Sequence, residues 1–268
     1  MAEADSEFAG SIPALYDRYL GPLIFAPYAA DLAARVAACQ PASILETAAG
    51  TGIVTAALAR VVPAAAITAT DLNRPMLDFA ATKSGVERVV WRQADAQNLP
   101  FADGAFDTVV CQFGAMFFPD RVLAYREARR VLKPGGRFLF NVWDRLSENE
   151  IPATVTDVVA AMLPAGTQPF LARTPHGYYD VAVIERELRS AGFSRIELAT
   201  VTRRSRAPSP RDPAIGFCQG TPMRAEIEAA ARGGVAEATE VATAAVAAKF
   251  GGGPIDGKIQ AIVVAAER

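Results

Sequence analysis

The stretch Ser43-Ile44-Leu45-Glu46-Thr47-Ala48-Ala49-Gly50-Thr51-Gly52 decides how this chain is expected to fold. It begins as a short apolar strand, passes an acidic residue and a turn of small residues, and leads into a helix over residues 53–62. In an open parallel sheet, ligands bind where the carboxyl end of a strand turns into a helix. Gly50 and Gly52 let the backbone approach a ligand closely because they carry no Cβ atom. The stretch therefore predicts a strand–turn–helix unit with a binding site at its turn.

The charge of this turn narrows the kind of ligand. A phosphate-binding turn presents bare N–H groups and usually a lysine. This turn begins with the carboxylate of Glu46, no Gly-Lys-Ser/Thr follows it, and its glycines do not complete the Gly-x-Gly-x-x-Gly spacing of a dinucleotide site. The turn therefore predicts a cofactor with a cationic end.

The rest of the chain alternates strand signals with helix-length segments, which is the βαβ rhythm of a parallel sheet. Two further apolar stretches near the end of the sequence predict closing strands, and Lys133–Gly136 predicts a turn. The predicted strands after the first cover residues 66–71, 89–93, 106–114, 137–143, 193–201 and 258–266.

Two acidic residues follow predicted strands and are candidate ligand contacts. Asp71 ends the second strand some 20 residues after the glycine turn, where a carboxylate suits ribose hydroxyls. The alternative is an aspartate that only caps the following helix, for which Asn73 is also a candidate. Asp95 could accept a hydrogen bond from an exocyclic amine, or it could be an acid in a surface loop.

Three motifs carry a resemblance to a known family. The pattern Glu46-x-Ala48-x-Gly50-x-Gly52 resembles motif I of the class I S-adenosylmethionine-dependent methyltransferases, acidic-x-Gly-x-Gly-x-Gly, and departs from it at Ala48. Residues 106–114 resemble motif IV, and the Leu-Lys-Pro-Gly-Gly-x-Phe sequence from Leu132 is similar to the turn that follows. Within this family, the sequence resembles the small-molecule branch, which is the type 11 or ubiquinone-biosynthesis-like branch.

The resemblance implies a fold and a domain organisation. The expected fold is a Rossmann-like three-layer α/β sandwich with a mostly parallel seven-stranded sheet, an antiparallel C-terminal hairpin, and a helical lid and inserts. The whole chain is expected to be one domain: a lid over residues 1–40, a cofactor-binding core over 43–143, and substrate-side inserts over 144–179 and 203–250.

The N-terminal segment has two interpretations from sequence. Residues 1–26 are expected to be irregular because of Gly21, Pro22 and other breakers, with a helix over Tyr28–Cys39. The segment could pack on the edge of the sheet, or it could form the lid that the resemblance implies.

The resemblance also implies the cofactor, S-adenosylmethionine, and the product, S-adenosylhomocysteine. Glu46 would bind the methionine ammonium directly or through water, Asp71 the ribose, and Asp95 with Ala96 the adenine. Tyr16 would cover the methionine end from the lid. The implied cofactor-binding residues are Tyr16, Glu46, Ala48, Gly50, Gly52, Asp71, Leu72, Met76, Asp95, Ala96, Cys111, Gln112 and Phe113.

The expected reaction is methyl transfer by direct in-line displacement to a small-molecule acceptor. A sulfonium is already a good leaving group, so catalysis depends mainly on orientation. Gln112 is a candidate polar contact near the methyl group, and Phe117 is expected in the core. His176, the one histidine of the chain, is a candidate general base, although a lone histidine is more often structural. Aromatic residues in the inserts favour an apolar or aromatic acceptor.

Composition excludes several other classes. The chain of 268 residues has a net charge of −2, which offers no basic field for nucleic acid, and Arg203, Arg204, Arg206 and Arg211 are expected in a solvated loop. Its three cysteines form neither a zinc nor a disulfide pattern, so no metal site is expected and a reducing cytoplasm fits. No signal peptide or membrane-spanning run is predicted, and the expected state is a monomer or homodimer without a membrane or nucleic-acid partner.

Two alternatives remain open from sequence alone. One is a protein that binds S-adenosylmethionine without catalysis, since a fold does not determine a function. The other is a nicotinamide-dependent oxidoreductase on a similar sheet, which Glu46 and the missing third glycine disfavour.

Overall fold

The computed structural model describes residues 10, 12–230 and 233–268, and a seven-stranded sheet forms its centre. The strands lie in the order β3-β2-β1-β4-β5-β7-β6. Strands β1 to β5 are parallel, and β7 is antiparallel to both β5 and β6. This confirms the predicted sheet and its antiparallel hairpin. The strands are β1 (Ser43–Glu46), β2 (Ala66–Asp71), β3 (Val90–Gln93), β4 (Phe106–Gln112), β5 (Leu132–Trp143), β6 (Arg195–Ala207) and β7 (Ile255–Glu267).

Helices connect the strands and cover the sheet. Within the described part of the chain, none of them combines the length and the apolar character needed to cross a bilayer. They are α1 (Ile12–Leu15), a π-helix (Tyr16–Phe25), α2 (Ala26–Ala38), α3 (Ile53–Val61), α4 (Arg74–Ala80), α5 (Arg121–Val131), α6 (Glu150–Ala160), α7 (Phe170–Arg173), α8 (Val181–Ser190), α9 (Arg211–Gln219), α10 (Met223–Ala230) and α11 (Gly234–Phe250), with 3₁₀ turns at Ala115–Phe117 and Leu146–Glu148.

Both faces of the sheet are buried, as the predicted three-layer sandwich requires. Successive strand residues point to opposite faces. Ile44 and Val110 belong to the apolar cluster formed with α2 and α3, whereas their neighbours Leu45 and Val109 belong to the larger cluster formed with the other helices. Strands buried on two sides are apolar at consecutive positions, which is why β1 and β4 are recognisable in the sequence.

The N-terminal segment differs from the prediction, because its described part is helical from Ile12 onward rather than irregular. Gly21 does not make a turn: it is buried inside the π-helix, and a Cβ atom there would meet Ile53 Cδ1 at an ordinary contact distance of 3.5 Å. Pro22 also lies inside the π-helix, where it contributes no N–H donor to the helix. The start of the predicted irregular segment, residues 1–9 and 11, lies outside the described residues.

The predicted turn at residues 133–136 lies inside β5 as an irregularity. Leu132 pairs with Phe106, and the register then shifts before pairing resumes at Arg137. Gly135 has a φ angle of +75°, so the requirement for a glycine was identified correctly although the strand begins earlier than predicted.

Strand β6 is longer than predicted and carries three of the four arginines that were expected in a loop. Arg203 forms an ion pair with Asp31 of α2 at 2.7 Å, and Arg204 and Arg206 share the carboxylate of Asp256 on β7. The predicted insert therefore begins after this strand, and these arginines stabilise the hairpin and its contact with α2.

Candidate functional site

The carboxyl ends of the parallel strands form one edge of the sheet and carry the predicted polar residues. Glu46 ends β1, Asp71 ends β2, Gln112 ends β4, and Asp95 follows β3. The strands that follow β1 in sequence lie on one side of it as far as β3, and β4 lies on its other side. The connections after β1 and β4 therefore run in opposite directions, which opens a crevice at the carboxyl ends of these two strands. A cavity of about 240 Å³ fills the crevice. The predicted residues that line it are Tyr16, Glu46, Ala48, Gly50, Asp71, Leu72, Met76, Asp95, Ala96, Gln112 and Phe113.

The lining of this cofactor cavity is acidic. It includes the carboxylates of Glu46, Asp71 and Asp95, and no lysine, arginine or histidine among the described residues. A phosphate-bearing dinucleotide would meet uncompensated negative charge here, whereas a ligand with ammonium and sulfonium groups would be attracted. The charge pattern therefore fits S-adenosylmethionine.

Glu46 has no cationic partner in this cavity and lies almost completely buried. Its Oε2 atom accepts a hydrogen bond of 2.6 Å from Thr55 Oγ1 on the first turn of α3. Burial raises the pKa of Glu46 to about 8, the bond from Thr55 opposes this shift, and the charge of Asp71 adds to it. A bound cation would supply the charge partner that this carboxylate lacks.

Asp71 is held by the backbone of the two turns beside it. Gly50 N–H donates to Oδ2 at 2.8 Å, and Asn73 N–H donates to Oδ1 at 2.7 Å. Burial raises the pKa of Asp71 although these backbone donors oppose the shift. Oδ1 also accepts a longer bond of 3.4 Å from the Asn73 side-chain amide, whereas Oδ2 keeps a further lone pair with which it can accept a hydrogen bond from a ligand hydroxyl group. Asn73 occupies the predicted cap position of α4, but it makes no side-chain cap hydrogen bond there.

Ala48, the departure from the family pattern, adopts the backbone conformation that a glycine would. Its φ angle is +51°, in the left-handed region that costs an alanine roughly 1 kcal/mol. Its methyl group is accommodated because residue 114 is glycine: a Cβ atom on Gly114 would lie 2.4 Å from the Cβ of Ala48. The turn therefore holds the extra methyl group of Ala48 in the space left by a glycine two residues after the end of β4.

The two motif glycines serve different purposes. A Cβ atom on Gly50 would meet nothing within 4 Å, so this glycine keeps the cavity open at a φ angle of +55°. A Cβ atom on Gly52 would lie 2.9 Å from the Cβ of Ala80 in α4. Gly52 lies outside the cavity lining, and it permits close packing beneath the turn rather than the predicted approach to a ligand.

Gln112 links the cofactor cavity to the N-terminal segment. Its Nε2 atom donates to the backbone carbonyl of Phe25 at 3.3 Å. Its Oε1 atom is buried and has no hydrogen-bond partner among the described residues, and the same is true of the hydroxyl of Thr51 on the cavity wall. Buried polar atoms are rarely left unpaired in native proteins. Both atoms are therefore candidates to bind a polar ligand.

Phe113 follows Gln112 in a strained backbone conformation, with a φ angle of +52°. Its N–H donates to both the backbone and the side-chain oxygen of Asn141, at 3.0 and 3.1 Å. Its ring stacks on Trp143 with centroids 3.6 Å apart. These contacts from β5 fix the ring at the wall of the cavity. Cys111, in contrast, is fully buried with its sulfur beneath Gly114, outside the lining.

His176 lies away from the cofactor cavity, at the wall of a second and narrower one of about 40 Å³. Its Nδ1 atom is 2.8 Å from the backbone oxygen of Asp144, and its ring lies 6.0 Å from that of Trp143. Burial lowers the pKa of His176 to about 4. The structure therefore does not bring His176 and Gln112, the two candidate catalytic residues, into contact.

The pKa of His176 can be measured directly, since the chain contains one histidine. We expect the ¹⁵N resonances of the imidazole, observed by NMR on protein without a histidine tag, to stay at neutral-form values from pH 8 down to pH 5. The physical reason is that burial disfavours the charged ring. An inflection near pH 6.5 would show that the ring is exposed to solvent and would contradict this description.

Several lining residues were not predicted from the sequence. Phe25 lines the cavity from a segment expected to be irregular, and Phe117 lines it although it was expected in the core. Gln97 also lines the cavity, and its backbone N–H donates to the carboxylate of Asp95 at 2.8 Å. Thr55 is identified only by its contact with Glu46. The only signal in the sequence is that Thr55 is a polar residue on the first turn of the mostly apolar α3, nine positions after Glu46.

Comparison with known proteins agrees with this geometry. The family model described as a methyltransferase domain, type 11, matches residues 45–140. The ubiquinone/menaquinone biosynthesis C-methyltransferase of Saccharophagus degradans is 32% identical over 176 residues, which cover 59% of this chain and 70% of that protein.

Two solved structures share the fold. The YcgJ protein of Bacillus subtilis has a TM-score of 0.56 at 20% identity, covering 90% of this chain and 98% of that one. A phosphoethanolamine N-methyltransferase of Haemonchus contortus, solved with S-adenosylhomocysteine, has a TM-score of 0.51 at 17% identity, covering 84% of this chain and 48% of that one.

The chemistry of the cofactor cavity agrees with these similarities. Its acidic lining and its unpaired polar atoms suit S-adenosylmethionine, and they disfavour the nicotinamide-dependent oxidoreductase. Within the described part of the chain, no group of three or more histidine, cysteine or acidic side chains could hold a metal ion. The sequence match, the sheet order and the cavity agree: this chain belongs to the class I S-adenosylmethionine-dependent methyltransferases, in the type 11 branch, and is an enzyme that uses S-adenosylmethionine.

Proposed function

We propose that the enzyme transfers the methyl group by direct in-line displacement to a small apolar acceptor that contains a ring. The observation that carries this proposal is the second cavity, the acceptor chamber, which adjoins the cofactor cavity. Both cavities are lined by Tyr16, Phe25, Phe113 and Phe117. An acceptor in the chamber would therefore meet the cofactor across an aromatic boundary. The other residues of the chamber are Leu20, Ile24, Trp143, Pro152, Leu171, Pro175, His176, Phe217 and Thr221.

The lining of the chamber favours an apolar acceptor. Burying a charged or strongly polar acceptor among these side chains would cost the hydration of its polar groups without replacing it. A flat ring, in contrast, gains contacts with Phe113 and Trp143, whose stacked rings form one wall. The name of the Saccharophagus relative refers to ubiquinone and menaquinone biosynthesis, which supports a quinone-type ring as the acceptor class.

The residues of the cofactor cavity have orienting roles in this proposal. S-adenosylmethionine, when bound, supplies a methyl group on a sulfonium, a leaving group that needs no covalent help from the protein. Glu46 would hold the ammonium group, Asp71 the ribose hydroxyls, and Asp95 the adenine amine. Fixing two reactants in the right geometry can account for a large part of a rate enhancement.

The helical segment Ile12–Phe25 acts as the lid in this proposal. The rings of Tyr16 and Phe25 stack with centroids 4.7 Å apart between the two cavities. Asp17 forms an ion pair with Lys83, which follows α4, and Gln112 holds the Phe25 carbonyl. A chamber of about 40 Å³ has room for a few water molecules rather than a ring. The lid must therefore shift when the acceptor binds.

A methyl-transfer assay tests the acceptor class. We expect the enzyme with S-adenosylmethionine to add one methyl group to short-chain benzohydroquinones or naphthohydroquinones, detected by mass spectrometry, and to leave phosphoethanolamine unmodified. Turnover of the polar amine without turnover of the ring compounds would contradict the proposal.

A matched pair of variants tests whether the chamber binds the acceptor. Phe217→Leu removes ring contacts inside the chamber, so we expect KM for the ring acceptor to rise several-fold while KM for S-adenosylmethionine stays unchanged. Phe250→Leu makes the same substitution outside both cavities and serves as the control. An equal effect of the two variants on the acceptor would show that the acceptor binds elsewhere.

A further inference from the structure

His176 lines the acceptor chamber, and its ring is held in one orientation by a contact between Nδ1 and the backbone. We propose that His176 selects the acceptor: its Nε2 atom accepts a hydrogen bond from a hydroxyl group on the acceptor ring. This rests on the proposed function, and it narrows the acceptor from an apolar ring to a hydroxylated one, such as a phenol or a quinol.

The tautomer of His176 follows from its backbone contact. The partner of Nδ1 is a carbonyl oxygen, that of Asp144, and a carbonyl can only accept a hydrogen bond. Nδ1 therefore carries the proton, and in the neutral ring Nε2 is left with a lone pair. Nε2 has no hydrogen-bond partner among the described residues.

The position of the ring is fixed by its surroundings. The His176 N–H donates to the carbonyl of Leu171 at 2.9 Å, which holds the backbone against α7. Trp143 packs against the ring at a centroid distance of 6.0 Å. His176 lines the chamber, and because Nδ1 faces the Asp144 carbonyl, the edge with Nε2 points away from that carbonyl. The acceptor atom is thus preorganised before any ligand binds.

The other polar side chains of the chamber are placed differently, and the indole N–H of Trp143 can only donate a hydrogen bond. The hydroxyl of Thr221 donates to the Phe217 carbonyl at 2.7 Å and accepts from the Met223 N–H at 3.2 Å. Tyr16 lies at the boundary with the cofactor cavity, where burial and, to a smaller extent, the charge of Asp71 raise its pKa. Nε2 of His176 is therefore the acceptor that a buried hydroxyl deep in the chamber would meet.

The expected consequence is discrimination between acceptors of the same shape. A ring without a hydroxyl would displace water from Nε2 and leave it unpaired, whereas a hydroxylated ring would satisfy it. An unpaired buried polar group typically lowers affinity by about ten- to a hundredfold.

The test uses the single histidine as a reporter. Tag-free protein labelled with ¹⁵N-histidine and ¹⁵N-tryptophan and saturated with S-adenosylhomocysteine is titrated with 1-naphthol and, separately, with 1-methylnaphthalene. We expect 1-naphthol to bind at least tenfold more tightly and to shift the Nε2 resonance, as a new hydrogen bond to that atom would. We expect the Trp143 indole resonance to shift with both compounds, because both would occupy the chamber.

Two variants separate the hydrogen bond from the shape of the side chain. His176→Phe removes the acceptor atom and should abolish the preference for 1-naphthol, while His176→Gln offers an amide oxygen at a similar reach and should restore part of it. Thermal unfolding of each variant reports any loss of stability from the unpaired Asp144 carbonyl. S-adenosylhomocysteine affinity should stay unchanged in both.

The outcomes distinguish this inference from the proposed function. Shifts of Trp143 with both compounds, equal affinities and an unchanged Nε2 resonance would overturn the role of His176 and leave the ring acceptor standing. Turnover of ring acceptors that lack a hydroxyl, at rates equal to hydroxylated ones, would do the same. If neither compound shifts Trp143 and no ring compound is methylated, the proposed function fails and this inference fails with it.

Discussion

Replacing Asp71 with asparagine is expected to weaken the binding of S-adenosylhomocysteine about a hundredfold. The carboxylate lines the cofactor cavity and is positioned there by the Gly50 and Asn73 N–H groups, and hydrogen bonds to a charged acceptor contribute roughly 1.5–3 kcal/mol each. Asparagine keeps one acceptor oxygen and presents an N–H₂ group in place of the other. Isothermal titration calorimetry at pH 7.5 measures the change.

The control for this variant is Asp78→Asn. Asp78 lies on α4, pairs with Arg74 at 2.7 Å and is exposed, so the same substitution there should leave affinity unchanged. Thermal unfolding without ligand separates a binding defect from a folding defect, because Asp71 also organises the glycine turn. Wild-type affinity in a folded Asp71→Asn protein would remove Asp71 from the cofactor site.

The affinity for S-adenosylhomocysteine is also expected to depend on pH through Glu46. The pKa of this carboxyl is raised to about 8, chiefly by burial, and only the ionised form can pair with the ligand's ammonium group. Affinity should therefore rise about tenfold from pH 6 to pH 7 and about fivefold more from pH 7 to pH 8, because binding releases a proton where the carboxyl is protonated in the free protein. In Glu46→Gln the affinity should be weak throughout this range and nearly independent of pH, apart from any contribution of the neighbouring Asp71.

The same variant is expected to stabilise the ligand-free protein at alkaline pH. A carboxyl whose pKa is higher in the folded than in the unfolded state contributes stability that is fully present below the unfolded pKa and is lost as pH rises to the folded pKa. For Glu46 this window runs from about pH 4.5 to about pH 8. Above pH 8, the free energy of unfolding of the variant should exceed that of the wild type by on the order of a few kcal/mol.

Chemical denaturation at pH 6 and pH 8.5 measures this difference in the free energy of unfolding. Glu228→Gln, which changes an exposed carboxylate paired with Arg224 on α10, is the control and should show neither effect. A Glu46→Gln protein that is less stable than wild type at pH 8.5, with unchanged ligand affinity, would contradict both expectations. The two readouts move in opposite directions because one carboxylate costs stability and contributes binding.

The sheet and the acidic positions could be predicted from sequence because their signals are local. Strands such as β1 and β4 are buried on both faces and show as short apolar runs, and a parallel sheet places the residues that end them at one edge. Glu46 and Asp71 follow from that rule alone. Their roles in binding, like those of Asp95 and Gln112, stay predictions that the experiments above would test.

The parts that escaped prediction depend on contacts between distant segments. Gly21 is a helix breaker by local pattern, but it lies buried inside the π-helix and faces Ile53, a contact that no local pattern reveals. The compatibility of Ala48 with the motif depends on Gly114, some 65 positions later. The acceptor chamber is built from segments that meet only in the folded protein, so its boundary could not be placed from sequence.

The two edges of the sheet differ in a way that bears on self-association. An exposed edge strand offers unpaired N–H and C=O groups to a strand of another molecule. Strand β3 closes one edge with only Val90–Gln93, and β6 closes the other with arginines held by Asp31, Asp256 and Glu267. A short strand and a strand lined with charge both resist strand-to-strand joining. Joining of two copies of the chain through either edge of the sheet is therefore disfavoured.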